Sequence, residues 1–237
     1  MSEEKIAVIG GTGDLGFALA LRWSLAGAQI FIGSRDEKKA QDAAQRLKDA
    51  ANAGGSSSAQ KLLVSGCENS QAAAQASVVV MAVPFPAQAA ILKSIRGSLK
   101  DAILVDTTVP LAATIGGKPT RMLGVWQGSA AEQARELTPP GTPVLSAFHN
   151  ASAEALQDLS VTPDCDILVC GDDEAAKKTL FSLVKLIPGL RPIDAGPLEM
   201  ARIVESMTAL LISVNRRHKV HNCGIRITGL PAEAKSG

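Results

Sequence analysis

The sequence predicts an α/β fold, a doubly wound, mainly parallel sheet with a small C-terminal α/β domain. Three observations predict it. Short runs rich in Val and Ile recur along the chain, alanine-rich segments with helical spacing separate them, and a glycine-rich turn joins the first run to the first segment. Length and composition agree, since 237 residues with 46% hydrophobic content suffice for one large or two small buried cores. The expected division is 1–148 and 149–237.

Taken in order, "KIAVI" (Lys5–Ile9) and "QIFIG" (Gln29–Gly33) read as strands, and Asp14–Ala26 and Asp36–Ala53 as the helices that follow them. Together they make one βαβ unit. Strands are expected again at Lys61–Ser65, Val78–Val83 and Ala102–Asp106, with helices at Glu68–Ala76 and Ala87–Gly97 between them. "NAGGSSS" (Asn52–Ser58) reads as a surface connection rather than a domain linker. The rhythm loosens over Thr107–Ser129, where Pro, Gly and Thr mix without a period, and a helix resumes at Ser129–Leu137. "PVLSAF" (Pro143–Phe148) and "DILVCG" (Asp166–Gly171) read as two further strands. A helix follows through "DDEAAKKTLFSLVKLI", whose leading Asp172 and Asp173 suit a helix N-terminus, where negative charge is favoured. After "GLRPIDAGPL" comes a last helix, Glu199–Val220, apolar at Ile203, Val204, Met207, Leu210, Leu211 and Val214. That stripe is expected to bury one face.

"IGGTGDLG" places Gly11, Gly13 and Gly16 at the spacing G-x-G-x-x-G between an apolar strand and a helix, which makes the unit Rossmann-type. A side chain at Gly11 would hinder the tight turn, one at Gly13 would keep the backbone from a pyrophosphate, and one at Gly16 would push helix from strand. The amides at the helix start, around Asp14 and Leu15, then face the pyrophosphate, with the helix dipole assisting. Ser34 and Arg35 follow the second strand, where an NAD site carries a carboxylate for the ribose hydroxyls. A guanidinium and a hydroxyl match a 2′-phosphate instead. Arg35 can pair with it as a fork, Ser34 and Thr12 can donate hydroxyl hydrogen bonds, and Lys38 or Lys39 adds local charge. The expected cofactor is therefore NADP. The competing reading is a solvated helix start in which Arg35 pairs with Asp36 or Glu37, although Asp36 better suits the helix cap.

Other chemistries find less support. With 24 basic and 23 acidic side chains the net charge is +1, so no global field holds nucleic acid or an anionic membrane. Cys67, Cys165, Cys170 and Cys223 form no C-x-x-C pair and no metal-ligand spacing; they read as reduced packing residues, and no metal is expected. The N-terminus has no signal-peptide pattern, and the apolar run Ser77–Leu92 is short and broken by Pro84 and Pro86, so a cytoplasmic protein is expected. Tyrosine is absent, which removes the Tyr-x-x-x-Lys acid of short-chain dehydrogenases. His149 follows a strand and should project from the carboxyl edge of the sheet, where ligands bind in open α/β folds; a structural histidine is the competing reading. His218 and His221 lie in a cationic stretch with Arg202, Arg216, Arg217, Lys219 and Arg226 and a single acid, Glu205. That stretch reads either as a solvated helix end or as an anion site for a second ligand.

Together "IGGTGDLG", "IGSRDEKKA", "VPF", "LSAFHNASA", "VCGDDEAAKK", "GLRPIDAGPLEMARIVESMTALLI" and "GIRITGL" resemble the coenzyme F420-dependent NADP oxidoreductase family over nearly the whole chain. "CGDD" and "RPIDAGPL…R-x-VES-x-T" are more specific than the glycine turn. The resemblance implies an EC 1.5.1-type oxidoreductase that moves a hydride reversibly between nicotinamide C4 of NADP(H) and deazaflavin C5 of coenzyme F420. NADP would lie in the N-terminal domain, and the C-terminal domain would complete the deazaflavin cleft. A homodimer with only small-molecule partners is implied. Carried over by position, Thr12, Ser34 and Arg35 would recognise the 2′-phosphate, and Val83 and Pro84 would lie beside the nicotinamide ribose. His149, Ser206 and Thr208 would surround the deazaflavin ring and its carbonyls. Read alone, Ser206 and Thr208 would only bond their own helix backbone.

Hydride transfer needs two stacked rings and no covalent intermediate, so a positional site is expected, with small residues such as Ala147 or Ala151 allowing close approach. Two stretches depart from the family pattern near the presumed cleft: "HNASA" stands where "HTIPA"-like sequences occur, and "VDTTVPL" (Val105–Leu111) where "SPLVP"-like ones do. Rival readings are an NADPH-dependent reductase of a small imine or carbonyl, which usually needs a longer helical C-terminal domain, and a non-catalytic NADP-sensing protein.

Overall fold

The computed structural model describes residues 4–53 and 62–230. Its strands are β1 (Lys5–Ile9), β2 (Gln29–Ser34), β3 (Val64–Glu68), β4 (Val78–Met81), β5 (Ile103–Asp106), β6 (Val144–Ser146), β7 (Cys165–Gly171) and β8 (Leu190–Asp194). They form one sheet in the order β3-β2-β1-β4-β5-β6-β7-β8. Helices α1 (Asp14–Leu25), α2 (Glu37–Ala53), α6 (Ala153–Gln157) and α7 (Glu174–Lys185) pack on one face, and α3 (Asn69–Ala74), α4 (Phe85–Ile95), α5 (Ala130–Leu137) and α8 (Ala201–His218) on the other. From β1 the chain winds outward one way to β3 and then back the other way from β4. That reversal leaves a crevice at the carboxyl ends of β1 and β4, where ligands bind in such sheets. Strands β1 to β6 are parallel, β6 and β7 are antiparallel, and β7 and β8 are parallel again. The doubly wound, mainly parallel sheet predicted from the sequence is therefore the observed architecture.

Burial explains why these segments are strands and helices. Every residue of β4 and all but the first of β1 are buried, as helices on both faces require. Helix α1 is apolar nearly all round because it lies between the sheet and its neighbours α2 and α6. Its Trp23 meets Phe148 edge to face at 5.8 Å, and the indole Nε1 donates to Leu183 O at 2.9 Å. Ser129 caps α5 and Asp173 caps α7, each accepting a backbone N–H from the residue three places on; the second agrees with the helix N-terminus expected at Asp172–Asp173.

Five expectations need correction. The third strand lies at Val64–Glu68 rather than Lys61–Ser65; Lys61 itself is outside the described residues. Its place is set by pairing with Ile30–Ser34 and by Gly66, where a Cβ would stand 2.2 Å from the Ala40 carbonyl of α2. Of the connection expected at Asn52–Ser58, only Asn52 and Ala53 are described, and they end α2. Helix α4 starts at Phe85, two residues before Ala87, because Pro86 is tolerated in a first helical turn. "LRPID", for which the sequence reading gave no strand, is the edge strand β8, and an edge position tolerates the missing N–H of Pro192.

The fifth concerns α8. Val204 and Ala209 are buried, whereas Ile203 and Leu210 are 52% and 59% exposed, so the expected apolar stripe does not bury as one face within the chain. Two of the five cations of the C-terminal cationic stretch are also paired: Arg202 meets Glu132 at 3.0 Å, and Arg226 reaches Asp166 at 2.7 Å. Asp166 further accepts from Arg191 at 2.6 and 2.7 Å and from the Ile227 amide, which pins residues 225–227 to β7. The Arg191 hydrogen bonds hold its carboxyl down to about 2.

Candidate functional site

The crevice between β1 and β4 is a cleft of about 180 Å³ lined among others by Thr12, Gly13, Ser34, Arg35, Val83 and Pro84. Local geometry builds it. Gly10 has φ +87°, and a Cβ there would stand 2.3 Å from Ala82 O, so the turn needs Gly10 as well as Gly11. At Gly16 a Cβ would be 2.6 Å from Gly10 O, which explains the close packing of α1 on the turn. Gly13 differs: the nearest atom to a Cβ there is at 3.4 Å, so its open side faces the cleft. The amides of Asp14 and Leu15 follow it at the α1 N-terminus.

Arg35 is exposed, and the nearby acids are engaged elsewhere. Asp36 accepts from the Lys39 amide at 3.2 Å, capping α2 as expected, and Glu37 accepts from Gln41 at 3.1 Å. Arg35 also borders a second pocket of about 490 Å³, lined with Pro86, Ala87, Ala90, Ile91 and Ser94. Lys39 stands exposed on α2 and lines neither pocket. One cleft residue escaped the sequence reading. Asn69, the first residue of α3, is 7% exposed, and its Oδ1 has no partner among the described residues. Its signal was its place directly after a strand at the carboxyl edge, which the misplaced third strand concealed.

On the other side of the edge, β6 ends and the chain turns at Phe148, fully buried with φ +66°. A bulky residue in this region is strained and is held only by its surroundings. His149 follows, 5% exposed, with neither ring nitrogen partnered among the described residues. Burial pushes its pKa down to about 3, so the ring is neutral. Thr208 of α8 donates its hydroxyl to His149 O at 2.6 Å, so the structure brings these two predicted residues together. Ser206 is exposed and donates to Arg202 O in its own helix, and Ala147 is fully buried beneath the turn. In "HNASA", Asn150 points inward and donates to Asp166 O at 2.7 Å. In "VDTTVPL", Asp106 is fully buried and accepts the amide and hydroxyl of Thr108, both at 2.6 Å.

Behind the edge lies a second buried acid, Glu205, which accepts from Ala130 N and Ala131 N at 3.0 and 3.1 Å. Burial pushes its carboxyl up to about 8 and that of Asp106 up to about 6. The folded chain then keeps a proton on Glu205 that the unfolded chain releases near its ordinary value of 4.5, so this stabilisation is complete below 4.5 and is lost as pH rises through 8. His149 acts oppositely: its contribution is complete above 6.5 and lost as pH falls toward 3. Between pH 6.5 and 8 only Glu205 of the three still titrates. Stability should fall across that window by roughly 1–2 kcal/mol, at up to about 1.4 kcal/mol per pH unit. Urea titrations at both ends check it; the Glu205→Gln variant should lose the slope, and an unchanged wild-type midpoint would mean that Glu205 is already ionised.

The residues present fit a bound dinucleotide: a glycine whose Cβ would fill the cleft, an exposed guanidinium beside a hydroxyl, and the orphaned Asn69 Oδ1. Both ring nitrogens of His149 are closed off from solvent in this structure. Among the described residues no group of three or more His, Cys, Asp or Glu is placed to hold a metal, and no helix is long and apolar enough to cross a membrane.

Comparison with known proteins extends this picture. The family model described as NADP oxidoreductase, coenzyme F420-dependent, matches residues 5–110. The chain is 48% identical to the F420-dependent NADP reductase of Methanothermobacter thermautotrophicus over 230 residues, 97% of each chain. It is 43% identical to that of Methanocaldococcus jannaschii, over 95% of this chain and 99% of the other. A solved structure from Arthrobacter sp. FB24 is similar with a TM-score of 0.79 at 26% identity, covering 94% of this chain and 99% of that one. An imine reductase variant from Myxococcus stipitatus, at 14% identity and a TM-score of 0.60 over 92% of this chain and 64% of its own, shares the fold alone. Identity of nearly one half along almost the entire length, joined to a glycine turn and a Ser34–Arg35 pair at one cleft, places the chain in the coenzyme F420-dependent NADP oxidoreductase family.

Proposed function

We propose that the chain catalyses reversible hydride transfer between NADP(H) and coenzyme F420. Residues 1–148 would hold NADP, and 149–237 would complete the deazaflavin cleft. The observation that carries this reading is that one sheet edge presents both the Arg35 cleft and the His149–Thr208 pair. The bound molecules supply the redox chemistry, a hydride passing between nicotinamide C4 and deazaflavin C5. The residues of the chain bind and orient. The amides after Gly13 hold the pyrophosphate at the α1 N-terminus, while Thr12, Ser34 and Arg35 take the 2′-phosphate, with Lys39 adding charge. The apolar pocket of Pro86, Ala87 and Ile91 receives the adenine, Asn69 Oδ1 accepts from a ribose hydroxyl, and Val83 and Pro84 flank the nicotinamide ribose. On the acceptor side the neutral His149 ring, Ser206 and Thr208 orient and polarise the deazaflavin, and the small Ala147 permits a tight turn beside it.

The outward residues Ile203 and Leu210 of α8 support pairing with a second copy of the chain, and four free cysteines support work in the reducing cytoplasm. The test is bleaching of the visible band of oxidised coenzyme F420 by NADPH, with NADH run in parallel. Fast bleaching with NADPH and little with NADH is expected; NADPH binding without bleaching rejects the reading. His149→Ala should lower turnover roughly 10- to 100-fold without weakening NADPH binding. Unchanged turnover and unchanged deazaflavin affinity would remove His149 from the site.

A further inference from the structure

One buried hydrogen-bond chain joins the two sides of the sheet edge. It begins on α8, where both oxygens of Glu205 accept the first amides of α5, Ala130 N at 3.0 Å and Ala131 N at 3.1 Å. The carbonyl of the same Ala130 accepts from Gln88 Nε2 of α4 at 2.9 Å. Gln88 Nε2 also reaches Asp106 Oδ2 at 2.5 Å and Thr108 Oγ1 at 2.8 Å at the end of β5, while its Oε1 accepts from Gln133 at 2.7 Å. Gln88 and Asp106 are 0% exposed, Glu205 1% and Thr108 2%. A second contact runs alongside, Arg202 of α8 to Glu132 of α5. Two carboxyl groups and an amide held out of water at this depth are costly, and apolar packing of equal volume would usually stabilise more. Their arrangement has to be explained by what it holds in place.

Each end of the chain lies about one helical turn from a residue of the proposed site. Gln88 stands four places beyond Pro84, the residue that caps α4 and lines the dinucleotide cleft. Glu205 stands three places before Thr208, whose hydroxyl holds the His149 carbonyl. We propose that Glu205, acting through Ala130 and Gln88, is a positioning residue for hydride transfer: it fixes α8 and its Thr208–His149 contact relative to the Val83–Pro84 turn, and so the spacing of the two rings. This rests on the hydride-transfer reading above. A carboxyl group is required because two parallel N–H donors need two acceptor oxygens, and each of its oxygens keeps a lone pair for one of them even with the proton in place; a carboxamide would face one of them with its own NH₂. Misplacement of reacting atoms by about 1 Å can cost of order 100-fold in rate.

The test is steady-state kinetics of full-length Glu205→Gln and Gln88→Met with NADPH and coenzyme F420, repeated with NADPH deuterated at the transferred position. Turnover should fall roughly 10- to 100-fold. The KM for NADPH should stay within about threefold, and the deuterium isotope effect on turnover should rise as the hydride step becomes limiting. Glu205→Asp, which keeps both acceptors, should recover part of the loss. Should Glu205→Gln fail to fold, Gln88→Met carries the same expectation from the other end. Turnover within threefold of wild type in both variants, or a loss confined to the KM for NADPH, overturns the proposal. A wild-type chain that binds NADPH but does not bleach coenzyme F420 overturns the hydride-transfer reading and this inference with it, an outcome visible before any variant is made.

Discussion

Replacing Arg35 with alanine is expected to raise the KM for NADPH roughly 10- to 100-fold while leaving the KM for NADH nearly unchanged, because a charge-assisted hydrogen bond is worth about 1.5–3 kcal/mol. The guanidinium is exposed at the mouth of the cleft beside Ser34, with Asp36 and Glu37 engaged within α2. Its removal therefore takes away a phosphate partner without uncovering a buried acid. Turnover at saturating NADPH should hold, since the interaction is made equally in the ground and transition states. Steady-state kinetics with both nucleotides decides it. Equal losses for NADPH and NADH would show that Arg35 acts on something common to both, and the 2′-phosphate assignment would fall.

Gly13→Val should abolish measurable NADPH binding, a loss of at least about 100-fold, and yet leave the fold intact. Gly13 has φ −90° and ψ 167°, which any L-residue adopts, and its Cβ would meet no atom closer than 3.4 Å. The added methyls would instead occupy the space where a pyrophosphate must approach the α1 amides. Gly16→Ala provides the contrast, since its Cβ would press on Gly10 O at 2.6 Å and on Gly11 Cα at 3.0 Å. That variant should lose roughly 1–3 kcal/mol of stability. Thermal melts beside NADPH fluorescence titrations separate the two cases. If Gly13→Val bound NADPH normally, the pyrophosphate would have to lie elsewhere.

How much of this was readable without coordinates depended on how local each determinant is. The first βαβ unit rests on contiguous apolar runs and a glycine spacing, and the acidic start of α7 at Asp172–Asp173 acts over three residues; both are legible in the sequence. Strand β8 was not, because Pro192 is acceptable only at a sheet edge, and the edge is decided by the whole strand order. The shifted β3 depends on Ala40 of α2 packing against Gly66, a contact between separate elements. Asn69 was lost with it. Glu205 reads in sequence as one charge on an amphipathic helix, and only the arrival of the α5 N-terminus makes it a buried acceptor pair. The antiparallel junction of β6 and β7 likewise leaves no periodic mark in the residues that form it.

That junction reverses the direction in which the last elements run, so α8 climbs along the sheet toward its carboxyl edge and continues beyond the Thr208–His149 contact. Past Ala209 it has no buried residue. The stretch from Leu210 to His218, about two and a half turns, is too short to be stable as an isolated helix in water. It should open locally, at a free energy well below that of the sheet, so amide hydrogen exchange along α8 should step up sharply after Ala209 and trypsin should cut first at Arg216 or Arg217. Slower exchange at higher protein concentration would then report directly that another molecule covers this end of the helix.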